Sequence, residues 1–141
     1  MKLAVDSSSF AKRYVEEIGS KELELILEDA SELAFSVVLV PEVISALNRR
    51  LREHVLTYAD YRAVKKQLLD DVSDATVLQI TPSLVSRSVK LIENYTLRAM
   101  DSLHVACALE WRADLFITSD RKQLTSAMNS GLTAKYIGPT Y

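Results

Sequence analysis

The chain has 141 residues, 48% of them hydrophobic, with 17 basic and 19 acidic side chains. This length predicts one domain, residues 1–141, with a core that needs no disulfide or structural metal. The single cysteine, Cys107, cannot form an internal bridge, and it favours a reducing compartment, so we expect a cytoplasmic protein. No segment has the ~20 apolar residues of a membrane span, and the amino-terminal apolar run is too short for a signal peptide.

The first residues predict a short buried strand that ends at a carboxylate. The sequence Leu-Ala-Val at 3–5 is followed at once by Asp6 and three serines. Uniformly apolar strands of this kind are typical of parallel sheets that helices cover on both faces. Ligands bind to such sheets beyond the carboxyl ends of the strands. Asp6 is therefore expected at a position where chemistry is common.

The rest of the chain alternates between helical and extended patterns. Further strands are expected near 33–35, 76–80, 115–118 and 134–137. Helices are expected from Ser7 or Ser8 to about Glu16 or Glu17, from Ser20, from either Ser36 or Pro41, and over 57–71, 83–95, 97–109 and 121–130. This alternation predicts a three-layer α/β domain with a mostly parallel sheet. Right-handed crossovers then bring the carboxyl ends of all strands to one edge.

Four acidic residues share this predicted edge. Asp6 and Asp120 follow apolar strands, Glu42 lies near the start of a helix, and Asp101 lies in the first turn of a largely apolar helix. Each acid taken alone is also explained as a helix cap, because free N–H groups and the helix dipole stabilise negative charge there. The four together indicate a shared site, since a helix as apolar as the one after Asp101 is an unusual place for a surface cap.

A cluster of carboxylates attracts hard cations. Oxygen ligands suit Mg²⁺ or Mn²⁺, and the sequence lacks the Cys and His spacing of a zinc site. A cation of this kind lowers the pKa of bound water and stabilises phosphate charge. Hydrolysis of phosphodiesters is the reaction that this chemistry favours.

The motifs around these acids resemble those of a known family. Asp6-Ser7-Ser8, Pro41-Glu42-Val43, Arg98-x-x-Asp101-Ser102-Leu103-His104 and Ile117-Thr118-Ser119-Asp120 are similar, in order and spacing, to the four signature blocks of PIN-domain proteins. The likeness is to the VapC-type toxins of prokaryotic toxin–antitoxin modules in particular, and it extends over nearly the whole chain.

The resemblance implies a fold, an activity and partners. The fold is a five-stranded parallel sheet in the order 3-2-1-4-5 between helices. The activity is a Mg²⁺- or Mn²⁺-dependent endoribonuclease, and the partners are an RNA substrate, a VapB-type antitoxin and a second copy in a homodimer. The family's catalytic acids correspond to Asp6, Glu42, Asp101 and Asp120. As metal ligands we predict Asp6 and Asp101, which hold the principal ion directly, and Asp120, which completes the site or binds through water, while Glu42 orients water or a second ion.

Several alternatives remain at this point. A catalytically silent PIN-fold binding module would keep the same acids, whereas a receiver-type phosphoacceptor domain fits poorly because only Asp6 follows the first strand. His104 lies one turn after Asp101 and is a candidate general base, but a core histidine with satisfied hydrogen bonds is the simpler interpretation. The net charge of −2 disfavours nucleic acid mildly. Without the four acids, 17 basic side chains stand against 15 acidic ones, a balance of +2.

Overall fold

The computed structural model describes residues 1–140. Its elements, in chain order, are β1 Lys2–Val5, α1 Ser7–Ala11, α2 Ser20–Asp29, β2 Glu32–Ser36, α3 Leu39–Arg52, α4 Tyr58–Asp74, β3 Thr76–Leu78, α5 Pro82–Asn94, α6 Ala99–Trp111, β4 Leu115–Thr118, α7 Arg121–Asn129 and β5 Ala134–Tyr136. The five strands form one parallel sheet in the order β3-β2-β1-β4-β5, which confirms the predicted order.

Helices cover both faces of the sheet. Leu3 and Val5 of β1 belong to one hydrophobic cluster, which packs against α1, α2, α3 and α4. Ala4, between them, belongs to a second cluster that includes residues of α5, α6 and α7. Because neighbouring side chains of a strand point to opposite faces, this alternation explains why β1 is apolar throughout and buried. The predicted three-layer α/β/α architecture is confirmed.

The first helix is shorter than the sequence pattern predicts. It ends at Ala11 instead of Glu16 or Glu17, and Asp6 caps it instead of Ser7 or Ser8. The chain then turns, and Arg13 reaches Asp71 of α4 with its Nε atom 2.9 Å from Oδ2. This contact joins residues far apart in sequence, so the local pattern does not encode it.

The helix boundaries resolve one open alternative and correct one interpretation. Helix α3 begins at Leu39, between the two candidate starts, so that Pro41 and Glu42 both lie in its first turn. The helical spacing of Tyr58, Tyr61, Val64, Leu68 and Leu69 predicts an apolar stripe on α4. This prediction is only partly correct, because Tyr58 and Leu69 are 64% and 47% exposed. Within residues 1–140, no helix is long and apolar enough to cross a membrane.

Candidate active site

The Asp6 carboxylate is fixed at the carboxyl edge of the sheet. It is 1% exposed, and its Oδ1 accepts a hydrogen bond from the Ser9 backbone N–H at 2.9 Å. Its Oδ2 accepts hydrogen bonds from Thr118 Oγ1 at 2.7 Å, Ser8 Oγ at 3.3 Å and the Ser119 N–H at 3.4 Å. These donors compensate for the cost of burying the charge. A carboxylate oxygen has two lone pairs, so Oδ1 keeps one that no group of residues 1–140 occupies.

Two more acids, Asp101 in the first turn of α6 and Asp120 just before α7, are oriented by one glutamine. Gln123, 3% exposed, donates from Nε2 to Asp101 Oδ1 at 3.1 Å and from its backbone N–H to Asp120 Oδ1 at 3.2 Å. The Asp120 N–H also donates to Thr118 Oγ1, at 3.0 Å. Because Thr118 in turn donates to Asp6, a continuous series of hydrogen bonds joins Asp6, Asp120 and Asp101.

The fourth acid is held by a separate set of contacts. Glu42 Oε1 lies 2.6 Å from both Ser7 Oγ and His104 Nε2, and Ser7 Oγ lies 3.0 Å from the same ring nitrogen. An ionised carboxylate only accepts hydrogen bonds, so Nε2 carries the imidazole proton. The Nδ1 atom of His104 is buried without a hydrogen-bond partner among residues 1–140. The interpretation of His104 as a satisfied core histidine is therefore wrong, since its one bonded nitrogen serves a site carboxylate.

The pKa values of the two partly buried acids move in opposite directions. Burial raises the pKa of the Asp101 carboxyl, and the negative charge of Asp120 raises it further. Burial alone would also raise the pKa of Glu42, but the hydrogen bonds from His104 and Ser7 lower it below its ordinary value. Groups with pKa values pushed apart in this way are common at catalytic sites. Asp101 thus resists ionisation, whereas Glu42 favours it.

A cavity of about 600 Å³ opens beside these acids. Asp101 and Asp120 line it, together with Arg98, Arg121 and Lys122. Asp101 Oδ1 accepts a hydrogen bond from the Gln123 side chain, and Asp120 Oδ1 accepts hydrogen bonds from the backbone N–H groups of Lys122 and Gln123. Neither Oδ2 atom accepts a hydrogen bond within residues 1–140. Two carboxylate oxygens are therefore available to a ligand in the cavity.

The donor set fits a hydrated hard cation. Among residues 1–140, no three His, Cys, Asp or Glu side chains come together closely enough to enclose an ion by themselves. Mg²⁺ does not need such an enclosure, because it retains several waters and usually binds through one or two carboxylates. The free oxygens of Asp101 and Asp120 match that requirement. Burial, and then the negative charge of Asp120, raise the pKa of Asp101, and a cation between the two carboxylates would offset the second of these effects.

The structure therefore gathers the four predicted acids at one edge of the sheet, and it adds residues that the sequence analysis passed over. Asp6, Asp101 and Asp120 share one hydrogen-bonded series, and Glu42 is near enough to Asp101 for its charge to raise the pKa of that residue. Ser7 and Gln123 were missed as partners of these acids. Gln123 lies three residues after Asp120, at the spacing of a helix first turn, and this was the only signal that could have found it.

Comparison with known proteins decides the family. The family model of the PIN domain matches residues 3–127. The chain belongs to the PIN domain family. The sequence prediction of this family is confirmed, and the five parallel strands are the sheet that the resemblance implied.

Solved structures share this PIN fold at low sequence identity. A toxin–antitoxin complex from Klebsiella pneumoniae is similar at 19% identity and a TM-score of 0.67, covering 88% of this chain and 90% of that one. VapBC2 from Rickettsia felis, bound to a DNA fragment from its promoter, has 13% identity, coverages of 96% and 98%, and a TM-score of 0.69.

A third structure is VapC20 from Mycobacterium tuberculosis, described as a toxin that cleaves the sarcin–ricin loop. It has 14% identity, coverages of 93% and 96%, and a TM-score of 0.69. The curated proteins contain no sequence match to the chain.

Proposed function

We propose that this PIN domain, residues 1–141, is a Mg²⁺- or Mn²⁺-dependent endoribonuclease that acts as the cytoplasmic toxin of a type II toxin–antitoxin module. The observation that carries the proposal is the pair of free carboxylate oxygens of Asp101 and Asp120 at a cavity that Arg98, Arg121 and Lys122 also line. An acidic pair for a cation next to basic side chains for phosphate is the arrangement that RNA hydrolysis requires.

The acids would divide the work of binding and proton transfer. Asp101 and Asp120 would hold the cation, and Asp6 would contribute the free lone pair of its Oδ1 or act through Thr118. When bound, a divalent cation polarises the phosphate and lowers the pKa of a water molecule. Glu42 remains ionised at neutral pH because of its lowered pKa. Its Oε2 accepts no hydrogen bond within residues 1–140, so this atom is the one available to orient a water or take its proton.

Cleavage of RNA by the purified protein tests this proposal. Structured RNAs should be cut with Mg²⁺ or Mn²⁺ and left intact with EDTA, and Asp101→Asn should abolish cutting. Asp29→Asn is the matched control. Asp29 is exposed at the end of α2, so this substitution makes the same chemical change at a position away from the four acids. Absence of cutting by the parent protein on every RNA would favour the silent binding module instead.

The proposed partner is a VapB-type antitoxin. Solved structures with this fold include toxin–antitoxin complexes, and the acidic edge suits a basic side chain from a partner. Arginine is the expected residue, since its planar group pairs with carboxylates through two hydrogen bonds. Expression of the chain alone should arrest growth, whereas co-expression with the antitoxin should restore it. Equal growth arrest by the parent and Asp101→Asn would contradict a catalytic toxin.

We also propose that the chain forms a homodimer, as the resemblance to VapC-type toxins implies. Light scattering of the purified chain should give twice the chain mass of 15.8 kDa. A mass equal to one chain at micromolar concentration would contradict this part of the proposal.

A further inference from the structure

A second cavity adjoins the one beside the acids. It has a volume of about 510 Å³ and is lined by residues at the end of α5 and at the start of α7. Thr96, Arg121 and Lys122 line both cavities. We call the two cavities together the basic groove. The first cavity contains Asp101, Asp120 and Arg98, and the second contains Tyr95 and Thr125.

The cations of the basic groove are available to a ligand. Arg98, Arg121 and Lys122 are all exposed, and none of them forms an ion pair within residues 1–140. Some other basic side chains of residues 1–140 do form ion pairs. Lys12 and Arg13, for example, are bonded to Glu17 and Asp71. The positive charge of the groove is therefore not neutralised by the protein.

One of these cations is also held in place. The guanidinium carbon of Arg121 lies 4.1 Å from the centre of the Tyr136 ring, which is cation–π geometry. A guanidinium that is already ordered loses less entropy when it binds a phosphate, and its planar fork matches two phosphate oxygens. Lys122 supplies a compact charge next to it, and Arg98 supplies one from the start of α6.

We propose that the basic groove binds the RNA strand on one side of the cut, with Arg98, Arg121 and Lys122 contacting its phosphates. This inference rests on the proposed function. The protein as a whole has a net charge of −2, so attraction for RNA must come from a local group of cations. The groove satisfies this condition, because Arg98, Arg121 and Lys122 line the same cavity as Asp101 and Asp120.

A second basic surface on α4 provides the rival position. Arg62, Lys65 and Lys66 are exposed there, and Tyr58 and Tyr61 lie beside them. Bases stack on aromatic rings, so this surface also has features that suit RNA. Helix α4 packs on the face of the sheet opposite to α6 and α7. The two surfaces carry equal numbers of cations, which makes each a control for the other.

The experiment measures RNA binding without cleavage. In the Asp101→Asn background, a groove variant (Arg98→Gln, Arg121→Gln, Lys122→Gln) and an α4 variant (Arg62→Gln, Lys65→Gln, Lys66→Gln) are titrated against a short fluorescein-labelled oligouridylate over a range of salt concentrations. All six side chains are exposed, so both variants should fold, and circular dichroism checks this. A conservative variant, Arg98→Lys with Arg121→Lys, keeps the charge.

The groove variant should lose affinity and salt dependence. Each phosphate contact contributes about 0.7 to the slope of log affinity against log salt for a single strand, so three contacts correspond to a slope change of about 2 and an affinity roughly 100-fold lower at about 0.1 M salt. The α4 variant should bind like the Asp101→Asn background. The conservative variant should keep the salt slope, because its charge is unchanged, and should lose only part of the affinity, because lysine lacks the planar fork.

Three results would overturn the assignment. Unchanged affinity of the groove variant would mean that the groove does not bind RNA and serves another ligand, such as an acidic segment of a protein partner. A loss of affinity confined to the α4 variant would assign RNA binding to α4. Equal losses of affinity in both variants would show that only the total charge of the protein matters. Cleavage assays on the parent separate this inference from the proposed function. If the parent cuts RNA and the groove variant still binds RNA normally, the ribonuclease proposal stands and only the assignment of RNA to the basic groove is refuted.

Discussion

The Nε2 atom of His104 lies 2.6 Å from Oε1 of Glu42, and the imidazole side chain is only 2% exposed. This contact, together with the hydrogen bond from Ser7, lowers the pKa of Glu42 from its ordinary value of 4.5. A lowered carboxyl pKa contributes stability above the unfolded-state pKa, and that contribution disappears as the pH falls through the folded-state value.

Glu42→Gln should therefore destabilise the protein in a pH-dependent way. At pH 7 we expect a loss of roughly 1–3 kcal/mol, because hydrogen bonds to a charged acceptor are exchanged for bonds to a neutral one. The difference from the parent should shrink as the pH falls below 4.5. Urea unfolding of both proteins across this range measures it, and a difference that does not change with pH would contradict the role of the charge.

His104→Gln should affect the reaction through Glu42. Without the imidazole contact, burial raises the pKa of Glu42, so the acidic limb of the pH–rate profile should move to higher pH and the maximal rate should fall. The control is His54→Gln, because His54 is exposed after α3. A lower rate with an unmoved acidic limb would indicate a packing role for His104 alone.

Asp101→Asn and Asp6→Asn should change stability in opposite directions without metal. Burial and the charge of Asp120 raise the pKa of Asp101, so removing the Asp101 charge should stabilise the protein in EDTA, by at most about 1 kcal/mol because solvent screens this partly exposed group. Asp6 accepts several hydrogen bonds, and Asp6→Asn should cost about 1–3 kcal/mol because one acceptor becomes a donor.

The pH dependence and the response to metal check the same assignment. A raised carboxyl pKa lowers stability above the folded-state value, and this penalty is absent below the ordinary value of 3.8. The advantage of Asp101→Asn should thus be present at pH 7 and vanish at about pH 3. Millimolar Mg²⁺ should raise the melting temperature of the parent and leave that of Asp101→Asn nearly unchanged. Identical melting curves for parent and variant under all conditions would contradict a strained acidic pair.

Gln123→Met should weaken metal binding while preserving volume. The variant loses the donor that holds Asp101 Oδ1, and loss of such a supporting contact typically costs 10- to 100-fold in metal affinity or activity. Gln67→Met on α4 is the matched control, since Gln67 is exposed. Calorimetric titration with Mn²⁺ reports the affinity directly, and equal affinity in Gln123→Met and Gln67→Met would exclude an orienting role.

Much of the fold follows from local sequence patterns. β1, β2 and β4 consist of apolar runs with polar residues at their ends, and their position in the middle of a covered sheet explains why the runs are uniform. The length of α1 could not be predicted, because Arg13 and Asp71, which are 58 positions apart, determine where the chain turns.

The acids of the site were predictable, but their environment was not. Asp6 and Asp120 follow strands, and the carboxyl ends of parallel strands share an edge, so their convergence follows from topology. Gln123 meets Asp101 through the packing of α6 and α7, and Ser7 and His104 meet Glu42 through the packing of α1, α3 and α6. Their hydrogen bonds depend on distances of tenths of an ångström, which no pattern of residue types specifies.

The most direct test of a metal-dependent ribonuclease is the rate of RNA cleavage as a function of Mg²⁺ concentration for the parent, Asp101→Asn and Asp29→Asn. Mg²⁺ should activate the parent and Asp29→Asn to saturation, EDTA should abolish activity, and Asp101→Asn should lose at least about 100-fold, in the range found when a charge-stabilising group is removed. Cleavage that persists in EDTA, or that survives Asp101→Asn at the parent's rate, would contradict this function.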